Sequence, residues 1–477
     1  MIANMPIRDA ALLLLGHGST LNADSSAPTY QHAEKIRQGN IFAEVHVAFW
    51  KEEPNFRQAL RQTNRHEVYV VPNFISSGYF TEQIIPRELG LTGPVTHREG
   101  QEIYYCEPVG LHPSMTEALL QRAHKVVTTS GETISLPSKT ACLFICGHGT
   151  SLNDNSTKII HEQVETIRAH HLYADCHAVL MEQSPFVKDW RTLTDCPDVI
   201  VVPFFISDGL HSFEDIPVLL GLTRNVKEQQ FANPYHENGR RLWYATAIGT
   251  ETFIANVIVA QAKQFQAKYL KEDVKKDFLL STPDLHEELA RFFRETPAPW
   301  RIGEVVVRPG FDLMHQDDLA SDPTSLQRVE SISDLRELIR LDREGNFRPL
   351  RAAPNLRRGW IHHAANLPGL LLALDYLYPA TLANWMLWRQ QQLSTTPWNE
   401  TAERQTGRFR IVREINNDAL HELIACNCQA GCLKQRLWPP ASQSIQADAN
   451  EIPLLCPEAC NFLIGKAREK LKGPGEE

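Results

Sequence analysis

The chain has 477 residues, 43% of them hydrophobic and 22% charged, with a formal net charge of −9. That composition suits a globular protein of three or four domains at roughly 100–200 residues each. The acidic balance argues against a general nucleic-acid or anionic-membrane binder, which needs a basic surface. No run approaches the roughly 18 apolar residues of a transmembrane helix. The apolar stretch Ala10–Leu15 is too short for a signal-peptide core. A cytoplasmic protein is therefore expected, in which clustered cysteines favour metal binding over disulfides.

Along the chain, Leu12–Thr20 (LLLLGHGST) returns as Cys142–Ser151 (CLFICGHGTS), and Val70–Ser76 (VVPNFIS) returns as Val201–Ser207 (VVPFFIS). Leu89–Thr92 and Leu220–Thr223 both read LGLT, and all three matches share an offset of 131 residues. The first half is thus a tandem duplication, with repeats at 1–130 and 131–265. In each repeat an apolar run (Ala10–Leu15; Ala141–Cys146) reads as a buried strand ending in Gly-His-Gly. A helix (Thr29–Arg37; Thr157–Ala169), a second strand (Ala43–Phe49; Ala174–Leu180) and a third strand (Glu67–Pro72; Asp198–Pro203) follow. Strands alternating with helices indicate an α/β fold, here two doubly wound parallel-sheet lobes. Ligands bind such sheets beyond the carboxyl ends of the strands, where the Gly-His-Gly turns and the segments after Val-Pro fall.

In the second repeat, His148, Glu182 and His211 follow strands one, two and three. Two imidazoles and a carboxylate suit Co, Fe, Ni or Zn with positions left open. An imidazole can also take up the protons released when a metal replaces the N–H hydrogens of a macrocycle. A single histidine after a strand is more often a structural hydrogen-bonding residue, but the repeated motif and the two partners favour function here. In the first repeat Phe80 stands where His211 would be and Ile84 replaces Asp215. His17 remains, and Glu52 or Glu53 lies near the carboxylate position. The second repeat is expected to hold the metal, with His17 assisting with substrate or retained for packing.

These residues resemble the CbiX/SirB class of sirohydrochlorin chelatases. The resemblance rests on Gly-His-Gly-Ser/Thr, an acidic residue before a proline, and the segment from Val202 to Pro217 with His211 and Asp215. Pro108–Pro113 adds a further motif, and the likeness covers residues 8–265. It implies two chelatase-like lobes across a cleft. It also implies that His148 and His211 bind the incoming Co²⁺ or Fe²⁺ with Glu182 assisting, and that the partner is the tetrapyrrole sirohydrochlorin. A different class of reading is a non-catalytic tetrapyrrole or metal carrier with a redox-sensing cluster. Phe80 favours that alternative, and the retention of His148 with His211 opposes it.

Beyond residue 265 the character changes. Lys268–Arg294 reads as a connecting helix pair and Arg301–Arg308 as a strand, within a connecting α+β domain at 266–350. The arginine-rich segment Arg336–Arg358 is interleaved with acids and reads as a salt-bridged face. A domain at 351–477 carries Cys428 and Cys432, and then Cys456 and Cys460, as two C-x3-C pairs. Four thiolates can hold a [4Fe–4S] cluster or tetrahedral zinc. Zinc more often uses C-x2-C knuckles, and Pro457 suits a cluster loop, so the cluster is the expectation, with Cys426 as a spare. Leu377–Trp385 and the paired cysteines resemble an extended subgroup of the same chelatase family.

Overall fold

The computed structural model describes residues 7–20, 22, 25–98, 100–149, 155–209, 211–223, 231–269, 285–340, 356–378, 382, 387, 396–429, 432 and 458–472. In the first lobe, β1 (Ala11–Gly16), α1 (Ala27–Gln38), β2 (Glu44–Phe49) and β3 (Glu67–Pro72) are followed by α2 (Ile85–Leu89), β4 (Val95–Arg98), β5 (Gln101–Tyr105) and α3 (Met115–Thr129). The sheet order is β2-β1-β3-β5-β4, parallel except for β4. The second lobe repeats this with β6 (Ala141–Gly147), α4 (Asn155–Ala169), β7 (Asp175–Leu180), α5 (Trp190–Leu193) and β8 (Asp198–Pro203). It continues through α6 (Ile216–Leu220), β9 (Tyr235–Glu237), β10 (Arg240–Tyr244) and α7 (Ile254–Tyr269), in the order β7-β6-β8-β10-β9. Every residue of β1 and β6 is buried, as expected of central strands covered on both faces.

The lobes share one core, to which α1, α3, α4 and α7 contribute. Polar contacts cross the seam. His32 Nε2 donates to the Gly249 carbonyl at 2.7 Å, Gln261 Nε2 to the Pro108 carbonyl at 2.7 Å, and Thr116 Oγ1 to Gln163 Oε1 at 2.7 Å. Gly249 lies against the backbone of Ile206, in the loop after β8. Helix α1, which starts just past the His17 turn, therefore reaches the strand-end loops of the other lobe.

His32 makes this seam sensitive to acid. Burial holds its pKa down at about 4 from 6.5, against the raising effect of the Gly249 carbonyl. The unfolded imidazole binds a proton more readily than the folded one. The stabilisation is fully present above pH 6.5 and is lost as pH falls from 6.5 towards 4. The loss amounts to about 3 kcal/mol. Urea unfolding midpoints measured between pH 7 and 4.5 should fall in this window, and His32→Gln should flatten that stretch. A wild-type midpoint that does not change over the window would refute the assignment.

A third unit begins with α8 (Leu285–Glu295) and forms the sheet β11-β12-β13-β15-β14, from β11 (Trp300–Ile302), β12 (Val305–Arg308), β13 (Asp312–His315), β14 (Gln327–Arg328) and β15 (Trp360–His363). The single strand expected over Arg301–Arg308 is a hairpin, β11 against β12, turning at Gly303 with φ +61°, a conformation glycine adopts without strain. The boundary expected at 350 falls inside this unit, because β15 pairs with β13 and β14 and helix Leu367–Leu377 packs on the same core. Leu382 is buried in that core as well, so the unit reaches past residue 378. Of the expected connecting helix pair, α7 ends at Tyr269 and α8 starts at Leu285. Arg336, the first of the arginine-rich segment, is buried with its guanidinium 4.0 Å from the Tyr30 ring centroid and bonded to Ser26 Oγ. It ties the third unit to the first lobe.

The last unit packs helices Trp398–Glu403, Asn417–Ile424 and Asn461–Lys472 around a small core. It docks on the first lobe through Arg57, whose Nε donates to the Ala459 carbonyl at 3.1 Å, and through Asn461 Nδ2, which donates to the Trp50 carbonyl at 2.6 Å. Among the described residues no helix is long and apolar enough to cross a membrane.

Candidate active site

The central strands deliver the two Gly-His-Gly turns to equivalent places in the lobes. Gly18 and Gly149 sit at φ +65° and +70°, and a Cβ on Gly149 would stand 3.0 Å from that of Leu180. Glycine thus lets the turn close against the end of the second strand. In both lobes the segment after the second strand returns a hydrogen bond to the histidine carbonyl. Lys51 N donates to His17 O at 2.9 Å, and Glu182 N to His148 O at 3.0 Å. The bridges Phe49–Asn55 and Leu180–Phe186 are also equivalent.

The constant offset of 131 therefore runs through this segment without a gap, which corrects the assignment of Glu52 or Glu53 to the carboxylate position. Lys51 stands where Glu182 stands, and Glu52 matches Gln183. Glu52 is a buried strut of the turn, accepting from Ser19 N at 2.9 Å and from Ser26 Oγ at 2.8 Å. Sequence comparison at a fixed offset contained this signal.

Three of the four expected site residues come together in the second lobe. The His148 and His211 rings lie 4.8 Å apart at 72°, and His148 Nε2 is 3.6 Å from Glu182 Oε1. His211 and Asp215 occupy a π-helical turn, His211–Asp215, a form of backbone frequent at functional sites. There His211 Nδ1 is 2.7 Å from Asp215 Oδ2. His148 Nδ1 faces the Gly149 carbonyl at 3.2 Å. With an acceptor beside each Nδ1, the favoured tautomer carries hydrogen there and leaves the Nε2 lone pair for a metal or a proton. Asp215 is thus an orienting group that was absent from the expected set. Its signal was the four-residue spacing from His211 together with its loss in the first repeat.

All four side chains are partly open to solvent. Among the described residues no three or more His, Cys, Asp or Glu side chains are gathered closely enough to hold a metal ion. The second-lobe set is thus an open arrangement of two imidazoles and two carboxylates, unlike a closed structural zinc site.

His17 occupies the equivalent position in the first lobe, with different neighbours. Its ring is 4.9 Å from Phe80, edge to face, and its Nδ1 faces the Gly18 carbonyl at 2.8 Å. Loss of water around it lowers its pKa below the ordinary imidazole value. The Gly18 carbonyl offsets part of that, and Lys51 adds to it. Phe80 also lies 5.8 Å from Phe74, nearly parallel, and 6.2 Å from Trp50.

Of the expected cluster ligands, Cys456 lies outside the described residues. Cys428 and Cys460 pack on the core of the last unit, whereas Cys432 packs on that of the third. Burial, with Cys460 and Cys432 as electrostatic neighbours, pushes the Cys428 thiol well above its usual range. Such a thiol ionises when a cation binds it. Leu463 N–H lies 3.5 Å from Cys460 Sγ, a contact of the kind that tunes sulfur-ligated clusters. By residue type the donor set suits a cysteine-ligated group; Cys428, Cys432 and Cys460 are its described members, and in this structure they are not gathered around one point. Cys426 is exposed.

The CbiX family model matches residues 11–126 and 142–265. The DR2241 stabilising domain matches 286–389, and the 4Fe-4S iron-sulfur cluster binding domain matches 390–469. A probable sirohydrochlorin cobaltochelatase of Halobacterium salinarum is 42% identical over 271 residues, 53% of this chain and 90% of the relative. A sirohydrochlorin cobaltochelatase of Methanococcus maripaludis is 30% identical over 141 residues, 24% of this chain and 97% of the relative. The crystal structure of DR2241 from Deinococcus radiodurans is described as a multi-domain protein structurally similar to chelatases, with two additional novel domains. It superposes with a TM-score of 0.76 at 26% identity, covering 97% of this chain and 99% of that one. With both lobes matched by one family model, the chain belongs to the CbiX family of sirohydrochlorin chelatases, in a form extended by a C-terminal 4Fe–4S cluster-binding domain.

Proposed function

We propose that this chain inserts a divalent metal ion into sirohydrochlorin, cobalt in preference to ferrous iron, using the second lobe. The observation that carries this reading is the convergence of His148, His211 and Glu182 with both Nδ1 atoms occupied. The entering ion is held by the Nε2 atoms of His148 and His211, with Glu182 supplying an oxygen. Asp215 keeps the His211 ring turned for that role. As the ion passes to the pyrrole nitrogens, each Nε2 it leaves becomes free to accept one of the displaced protons. Binding must be loose enough for release, and an open site suits that need. Cobalt is favoured because the Halobacterium and Methanococcus relatives bear that metal in their names. The ligand types by themselves accept either metal.

Cys428, Cys432, Cys456 and Cys460 are assigned to the [4Fe–4S] cluster, in preference to zinc, on their spacing and on the match to a cluster-binding domain. Anaerobic assays of Co²⁺ and Fe²⁺ insertion, followed by tetrapyrrole absorbance, test the proposal. Both ions should react faster than without protein, and cobalt faster than iron. Rates equal to the uncatalysed reaction would sink the reading.

A further inference from the structure

We propose that the first lobe's counterpart of the metal site holds the macrocycle, with Phe80 and Trp50 against its apolar face and Lys51 and Arg408 pairing with its peripheral carboxylates. This rests on the chelatase reading above. Position by position, the second lobe's ligands are replaced by groups of another chemistry. Glu182 becomes Lys51, His211 becomes Phe80 and Asp215 becomes Ile84, so the counterparts of those three ligating and orienting groups are missing around His17. In their place stands an aromatic group in which Phe80 contacts His17, Phe74 and Trp50. Phe80, Phe74 and Trp50 are each only partly buried, so ring surface stays available to a flat ligand. The second lobe has Met181 where Trp50 stands.

The charges point the same way. Lys51 is half-buried, and among the described residues no carboxylate pairs with it or with Arg408. Loss of water lowers the Lys51 pKa, and the positive charge of Arg408 lowers it further. Arg408 comes from the C-terminal unit, which is pinned beside Lys51 by the bond from Asn461 to the Trp50 carbonyl. The half-buried Lys51 and the exposed Arg408 together give this place a positive potential that an anion would relieve. A tetrapyrrole with several carboxylates, bound by charge-assisted hydrogen bonds, meets both the aromatic surface and the charge.

The experiment is a fluorescence titration of metal-free sirohydrochlorin, with steady-state insertion assays, on the full chain and on Lys51→Glu, Lys51→Met and Arg408→Ala. Lys51→Glu should weaken tetrapyrrole binding about tenfold or more, and Lys51→Met less. The KM for tetrapyrrole should rise with it, while kcat and the KM for cobalt stay within about twofold. Near-UV circular dichroism checks folding. Should Lys51→Glu fail to fold, Arg408→Ala, at an exposed residue of the C-terminal unit, carries the same test. A wild type that binds the tetrapyrrole but inserts no metal counts against the chelatase reading alone. A wild type that inserts metal, with variants that bind the tetrapyrrole as tightly as it does, overturns this inference alone. Absence of tetrapyrrole binding to the wild type overturns both.

Discussion

His148→Ala is expected to lower the rate of metal insertion by about 10²–10⁴-fold, the range for losing a positioned acid–base group, and His211→Ala should do the same. Each removes one of two imidazoles whose rings lie 4.8 Å apart. A single imidazole with Glu182 can neither hold the ion in place nor offer two proton acceptors. The double variant should be little worse than either single one, since residues acting as a unit are not additive. Asp215→Ala should cost less, about 10–100-fold, because it only loosens the His211 ring. Initial rates with Co²⁺, taken with near-UV circular dichroism to confirm folding, provide the check. Folded His148→Ala protein within a few-fold of wild type would remove the second lobe from the chemistry. The expected cost at His17 is smaller, because its neighbours are Phe80 and Lys51 rather than partners for an ion.

The second large effect is on stability. Arg57 and Glu88 form an ion pair at 2.8 Å with side chains only 1% and 0% exposed. Arg57 also bonds the Ala459 carbonyl and the Asn461 side chain, on either side of Cys460. Glu88→Ala leaves the guanidinium buried without its counter-charge, at a cost of about 3–5 kcal/mol. Arg404, whose pKa is lowered by burial and held up by Glu88, loses part of the same compensation. The C-terminal unit should detach first, seen as earlier proteolytic release of that unit and a lower apparent unfolding midpoint. An Arg57→Met/Glu88→Leu double variant should recover much of the midpoint, since an apolar pair of similar volume carries no desolvation penalty. A midpoint of Glu88→Ala matching that of wild type would show that the pair does not hold the interface.

Much of the first half could be read from residue order alone. The third strands of both lobes were expected at Glu67–Pro72 and Asp198–Pro203 and run over those residues. A fully buried parallel strand appears as an unbroken apolar run, which is a strong local signal. The edge strands β4 and β9 and their neighbours β5 and β10 leave no clear mark on the sequence, because these short, partly exposed segments mix polar and apolar residues. The pair β11 and β12 reads as one strand in the sequence, since a two-residue turn at Gly303 barely interrupts the apolar pattern. The boundary expected at 350 falls inside a unit because β15 joins its sheet from a distance in sequence, and composition carries no trace of such pairing.

The same division holds for the site. Sequence alone determined the duplication, the two lobes, His148 with Glu182 and His211, and the loss of His211's counterpart at Phe80. Those are matters of residue type at a fixed spacing, and spacing survives in the order of the chain. The fixed offset already pairs Lys51 with Glu182, and the hydrogen bonds to the His17 and His148 carbonyls confirm that register. Only the tertiary structure decided that Asp215 bonds His211, that Arg336 is buried against Tyr30, and that a unit more than 350 residues downstream docks on Trp50 and brings the charge of Arg408 to bear on Lys51. Contacts of that kind arise when separately folded units bury surface against one another, and the partner of a buried charge is chosen by that packing, not by its neighbours in the chain.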